Sequence, residues 1–140
     1  MGFGVEQLRR LLNGLCYPAR IVRIRASMAV SHYRDLIAWQ LADQFKKEVF
    51  RLLESSPAAL SDFRYRSQLV DSSTSVTANL VEGFRRFSPG EFPRFIDYSL
   101  ASLGEAEQRL RDGIELGISR KGLARLLSNW LVGVSLLPSG

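Results

Sequence analysis

The chain carries one cysteine, Cys16, and one histidine, His32. A lone thiol excludes an internal disulfide and any cysteine-based zinc site within one chain. A lone imidazole leaves few routes to histidine–metal ligation or to a histidine-dependent triad. Such thiol scarcity suits the reducing cytoplasm, the expected compartment. Long apolar runs are missing too. The opening stretch "MGFGVEQLRRLLNGLCYPARIVRIRAS" is interrupted by Arg9, Arg10 and Arg20, unlike the apolar core of a secretion signal. No run approaches the roughly 20 apolar residues that span a bilayer, so no membrane partner is expected. Phosphate-cradling glycine loops and nucleophile–base motifs are absent as well. The chain is therefore expected to be no enzyme and to use no cofactor or metal.

Hydrophobic residues make up 46% of the 140 positions and charged ones 24%, the balance of one domain with a real core. The net charge of +5 is unevenly spread. Residues 1–27 hold five arginines against Glu6, a net +4, whereas the other 113 hold fourteen basic and thirteen acidic side chains, a net +1. Any polyanion affinity of the body must come from local clustering. The division expected is a basic extension at 1–27, either an unordered arm or the product of an upstream start codon, followed by a bundle domain at 28–140.

From Met28 onward the period is helical. Tyr33, Leu36, Ile37, Leu41, Phe45, Val49, Leu52 and Leu53 recur at three- and four-residue steps behind Ser31, a suitable N-cap. Pro57 stops that helix. A second is expected from about Ser61 to Gly83, with Tyr65, Leu69, Val76 and Leu80 inward and Gly83 as a left-handed stop. Its middle, "DSSTSVTAN", is a poor helix former, so tertiary contacts must hold it. Ser88 and Glu91 have capping-box spacing at the start of a third helix, with Pro89 at its first position. That helix places Phe92, Phe95, Ile96, Ser99, Leu103, Ala106, Leu110 and Ile114 on one stripe up to Gly117. Ser119 would cap a fourth, carrying Leu123, Leu126, Leu127, Trp130, Leu131, Val134 and Leu137. Short connections between four such helices predict an all-α, antiparallel up-down-up-down four-helix bundle.

A polar stripe interrupts this pattern. Gln68, Ser72, Ser75, Asn79 and Glu82 share one face of the second helix, and Ser102 and Glu105 flank the seam of the third. Three readings are open: a hydrogen-bonded network at a helix or subunit contact, a solvated face, or a carboxylate pair of Glu82 with Glu105. A di-metal bundle would need Glu-x-x-His motifs, and His32 lies outside the stripes.

The segments "YRDLIAWQLA", "RSQLVDSSTSVTANLVEGFRR" and "EFPRFIDYSLASLGEAEQRL" carry a family resemblance. Tyr33, Arg34, Asp35, Leu36, Trp39 and Gln40, then Gln68, Ser75, Asn79, Glu82 and Gly83, then Glu91, Phe92, Phe95, Ser102, Leu103 and Glu105 resemble the bacterial four-helix-bundle family of 23S ribosomal RNA intervening-sequence proteins. The resemblance spans about residues 31–116, and residues 1–27 have no counterpart in it. It implies a ring-like homopentamer without catalytic residues. It also implies kinship with the accessory variability protein of diversity-generating retroelements, a basic pentamer that binds nucleic acid and a reverse transcriptase. The near-neutral body departs from that relative.

Two functions compete. In the first, the protein is a nucleic-acid-associated accessory factor that contacts RNA or DNA backbones. Arg34, Arg85, Arg86 and Arg94 would gather at one end of the bundle, and Arg64, Arg66, Arg120, Lys121 and Arg125 at the other, each cluster repeated around a ring. The bland alternative for these side chains is pairing with Asp35, Asp62, Glu91 and Asp97 as surface salt bridges, each worth about 0–1 kcal/mol. No base-reading motif or aromatic stacking platform is legible. In the second, the protein is an interaction scaffold for another protein, with Trp39 or Phe87 as anchors.

Overall fold

The computed structural model describes residues 30–86, 90–118 and 120–130, the last four by backbone alone. A 3-10 turn at Tyr33–Asp35 leads into five helices: α1 (Ile37–Ser55), α2 (Pro57–Ser61), α3 (Phe63–Arg85), α4 (Glu91–Glu115) and α5 (Arg120–Trp130). No strand occurs among the described residues. Of the four longer helices, α1 packs on α3, α3 on α4, α4 on α5, and α5 back on α1. The all-α bundle expected from the periodicity is thus present. Tyr65 meets Arg109, Val76 meets Ser99 and Gly83 meets Phe92 and Phe95, so α3 and α4 run antiparallel along their whole length. None of the described helices is long and apolar enough to cross a membrane.

Local chemistry sets the helix ends, and several differ from the sequence expectation. Ser31 does not cap α1. Instead Nδ1 of His32 accepts from the Arg34 N–H (3.2 Å), and the Asp35 carboxylate accepts from the His32 N–H (3.2 Å). That closed box makes the 3-10 turn, leaves Leu36 extended, and lets α1 begin only at Ile37. The lone histidine is a cap. Gln40 Nε2 then holds the Arg34 carbonyl (2.9 Å), and Trp39 packs edge-on against Tyr33. Pro57 stops α1 as expected, but it also opens α2, whose Ala59 N–H is received by Ser56 Oγ. The cap of α3 is Asp62, through the Tyr65 N–H (2.9 Å), not Ser61. Beyond α4, Gly117 adopts φ 76°, and the Ile118 N–H reaches back to the Gly113 carbonyl (2.8 Å). The expected caps Ser88, Pro89 and Ser119, the positions Leu131, Val134 and Leu137, and the 1–27 extension lie outside the described residues.

Gly83 is not a stop. It sits inside α3, which continues to Arg85, because α4 approaches too closely for any side chain there. An added Cβ would stand 2.7 Å from Phe95 Cβ and 3.2 Å from Phe92 Cδ2. Gly83→Ala is therefore expected to destabilise the fold by about 1–3 kcal/mol, although alanine is the better helix former by about 1 kcal/mol. Urea midpoints of the two proteins check this. A higher midpoint for the variant would contradict the close approach.

The core lies where the four seams meet, with Phe45, Leu69, Val76, Leu80, Ile96, Leu103 and Leu110 fully enclosed. Ile37, expected inward, is exposed, since the late helix start hands the inward position to Ala38. The hydroxyl-rich centre of α3 is also buried. Ser72, Ser73 and Thr77 donate to carbonyls one turn back, at Leu69, Val70 and Thr74, satisfying themselves within the helix. Buried Asp43 receives Lys46 (2.9 Å) and Lys47 (2.6 Å). Burial alone would raise its pKa, but the bonds and charges of both lysines together outweigh that and hold it below the usual carboxylate value.

Candidate nucleic-acid interface

The cations expected to make contacts fall at the two ends of the bundle. At the end where α1 starts, α3 stops and α4 starts are Arg34, Arg85, Arg86 and Arg94. At the opposite end are Arg64 and Arg66 beside Tyr65. Tyr65 is close to Gly113 and so to Leu123, which brings Arg120 and Lys121, one turn earlier on α5, to the same place. Arg125 is exposed one turn further along.

Most of these cations do not pair as surface salt bridges. Arg34, Arg64, Arg66, Arg85, Arg94, Arg120 and Lys121 form no ion pair among the described residues, whereas Arg86 is bound by Glu82 and lies 4.0 Å from Glu91. Glu91 thus reaches Arg86 as the salt-bridge reading expected, but two of the other proposed acids have separate tasks. Asp35 closes the turn on His32, and Asp62 caps α3. Several free cations lie on aromatic rings instead: Arg34 over Tyr33 (5.7 Å), Arg66 over Phe63 (5.7 Å) and Arg94 over Tyr98 (5.8 Å).

Three members of the polar stripe bond within α3 and its C-terminal cap. Ser72 Oγ donates to the Leu69 carbonyl, Asn79 Nδ2 to the Ser75 carbonyl (2.9 Å), and Glu82 accepts from Arg86. Gln68, Ser75, Asn79, Glu82 and Ser102 are half-buried, Ser72 is buried and Glu105 exposed. The carboxylate-pair reading is corrected by register. Glu82 faces the start of α4 beside Gly83, while Glu105 lies about twelve residues further along, about 18 Å at the helical rise. The two carboxylates cannot share a reacting group, and Glu105 instead lies 3.7 Å from Arg109. Among the described residues, no three His, Cys, Asp or Glu side chains are grouped as for a metal.

The hydroxyls that do cross between helices are ones read from sequence as core positions. Ser99 Oγ donates to the Val76 carbonyl (3.0 Å), and Tyr65 Oη donates to the Arg109 carbonyl (2.9 Å). A polar residue within an apolar stripe was the available signal for both. Burial, with the negative charges of Asp112 and Asp62 adding to it, raises the Tyr65 pKa to about 12, so the hydroxyl remains a donor. Beside it a surface groove of about 320 Å³ is lined by Asp62, Arg64, Tyr65, Gln68, Arg109, Asp112 and Leu116. Buried Arg109 Nε in its wall has no hydrogen-bond acceptor. Large apolar side chains stand out in water at this end, Phe63 at 70% exposure and Leu116 at 66%. Trp39, offered from sequence as an anchor, is instead partly buried against the core, and Phe87 lies outside the described residues.

No curated protein matches the chain, and neither does any solved structure. A family model does match, over residues 34–134, and those residues include the Tyr33–Gln40 turn from Arg34 on, the α3 stripe and the α3–α4 junction just described. The chain belongs to the family of 23S rRNA-intervening sequence proteins.

Proposed function

We propose that this protein is a non-enzymatic, homo-oligomeric accessory factor that binds the backbone of RNA or DNA. The observation that carries the reading is the set of seven cations, grouped at the two bundle ends, that have no acidic partner among the described residues. An unpaired surface guanidinium keeps its field for a phosphate, and a near-neutral body can bind a polyanion only through such groups. Assembly as a pentamer, drawn from the family resemblance, would repeat each cluster around an axis. A reverse transcriptase is the partner protein suggested by the same resemblance. The scaffold reading is favoured by one observation, the exposure of Phe63 and Leu116, which a partner protein could cover.

The test is fluorescence anisotropy of labelled RNA and DNA with the full chain, across a salt series. Log K is expected to fall linearly with log salt. Arg64, Arg66, Arg120 and Lys121 changed together to glutamine should weaken binding and flatten the slope by up to about 3, at about 0.7 per lost contact on a single strand. An unchanged slope in that variant, and in one lacking Arg34, Arg85 and Arg94, would assign the affinity to the basic residues of 1–27. Sedimentation of the same samples reads the assembly state.

A further inference from the structure

We propose that the end of the bundle where α3 and α5 begin and α4 stops is a docking site for single-stranded nucleic acid, with the Phe63 ring as the surface on which a base stacks. The proposal rests on the backbone-binding reading above and adds the form of the ligand and its place.

Phe63 is the first residue of α3, and 70% of it is in water. A ring this open offers an aromatic face to a partner. The Arg66 guanidinium already lies over it at 5.7 Å, an arrangement that leaves the ring a cation-backed stacking surface. At the same end of the bundle, Arg64, Arg66, Arg120 and Lys121 have no ion pair among the described residues. The acids of this end are Asp62, which caps α3, Asp112, which accepts from Gln108 (2.8 Å) and lies 3.5 Å from Arg109, Glu54 at the close of α1, and Glu115. Four cations without an ion pair among the described residues suit a polyanion. The groove at this end, lined by Asp62 and Arg64 on either side of Phe63 in the chain, presents the Gln68 amide and the Arg109 guanidinium, groups able to meet a base edge or a phosphate.

The aromatic ring decides between the two forms of nucleic acid. In a duplex each base is already stacked on its neighbours, so a protruding phenyl has nothing to receive. A single strand offers its π-faces, and stacking on aromatic side chains beside a basic groove is how such strands are held. The opposite end is the weaker candidate. Tyr98 there is only 42% exposed against 70% for Phe63, and Arg86 is taken by Glu82.

The test uses the full chain with a labelled single strand of about a dozen nucleotides, RNA or DNA, against the matching duplex. The single strand is expected to bind roughly tenfold more tightly than the duplex. Phe63→Ala and Phe63→Leu should weaken single-strand binding by roughly tenfold or more, while Phe63→Tyr, which keeps the ring, should bind like the parent. Equal affinity for duplex and single strand, or full binding by Phe63→Leu, overturns this proposal while leaving backbone binding intact. A chain that binds neither form overturns both readings. Binding to phosphatidylserine–phosphatidylcholine vesicles in place of oligonucleotide, retained by Phe63→Leu, overturns it in favour of a lipid surface. The ring is exposed, so these variants should leave thermal unfolding unchanged, and a shifted melting curve would contradict its placement.

Discussion

Gly113→Ala is expected to lower stability by about 2–4 kcal/mol, the largest effect of any single methyl in the described bundle. Gly113 lies in α4 where α3 and α5 converge on it. A Cβ there would fall on Tyr65 Oη, 2.7 Å from Tyr65 Cζ and 2.8 Å from Leu123 Cδ1. None of these atoms can yield freely. Tyr65 is held by its bond to the Arg109 carbonyl, and Leu123 is among the most buried side chains. Overpacking of this kind costs about 1–3 kcal/mol, and displacing the tyrosine adds about 1–3 kcal/mol for a buried bond left unmade. The better helix propensity of alanine returns about 1 kcal/mol. Gly104 is the control, since nothing lies within 4 Å of a Cβ built there. Gly104→Ala should stabilise by about 0.5–1 kcal/mol. Urea unfolding at one fixed protein concentration reads both. In a Tyr65→Phe background the Gly113→Ala penalty should shrink, since the hydroxyl it strikes is gone. A Gly113→Ala protein as stable as its parent would mean that the three helices do not converge there.

Glycine also shows where the sequence was legible and where it was not. The helical period placed the long helices and nearly all of the core, because burial of one face follows directly from spacing. Gly117 read correctly as a stop, its positive φ being a local property. Gly83 and Gly113 did not read as contacts, because what requires them is a side chain more than ten residues away in sequence. The same limit applies to the hydroxyls. The stripe from Gln68 to Glu82 was visible by its period, yet its bonds close within α3, while the cross-helix bonds come from Ser99 and Tyr65. A sequence shows that a polar atom needs a partner but not which carbonyl supplies it. The charge clusters were legible as groups, since chain order fixes the bundle ends. That seven of these cations lack an acidic partner among the described residues was not, because it depended on Asp35 and Asp62 being used as caps. Phe63 was hidden for a related reason. Only the position of the α3 cap, one residue beyond Ser61, reveals that this aromatic points into water.

Alkaline pH is expected to separate the parent from Tyr65→Phe. The buried Tyr65 hydroxyl has a pKa raised to about 12 by burial and by the charges of Asp112 and Asp62, against about 10 in an unfolded chain. The native state therefore keeps its proton across a range where the unfolded state has lost it. With fewer protons bound in the unfolded state, stability falls as pH rises. The contribution is complete below pH 10 and declines toward pH 12, by about 2 kcal/mol at pH 11.5 for a shift of this size. Phenylalanine has no proton to lose. At pH 8, Tyr65→Phe should be the weaker protein by about 1 kcal/mol, the worth of the bond to the Arg109 carbonyl. By pH 11.5 it should equal or exceed the parent. Lysines and the other tyrosines titrate alike in both proteins, so the difference between the two urea-derived stabilities isolates this one group. A difference that stays constant from pH 8 to 11.5 would place the hydroxyl in water and undo the α3–α4 contact on which the geometry of the basic end depends.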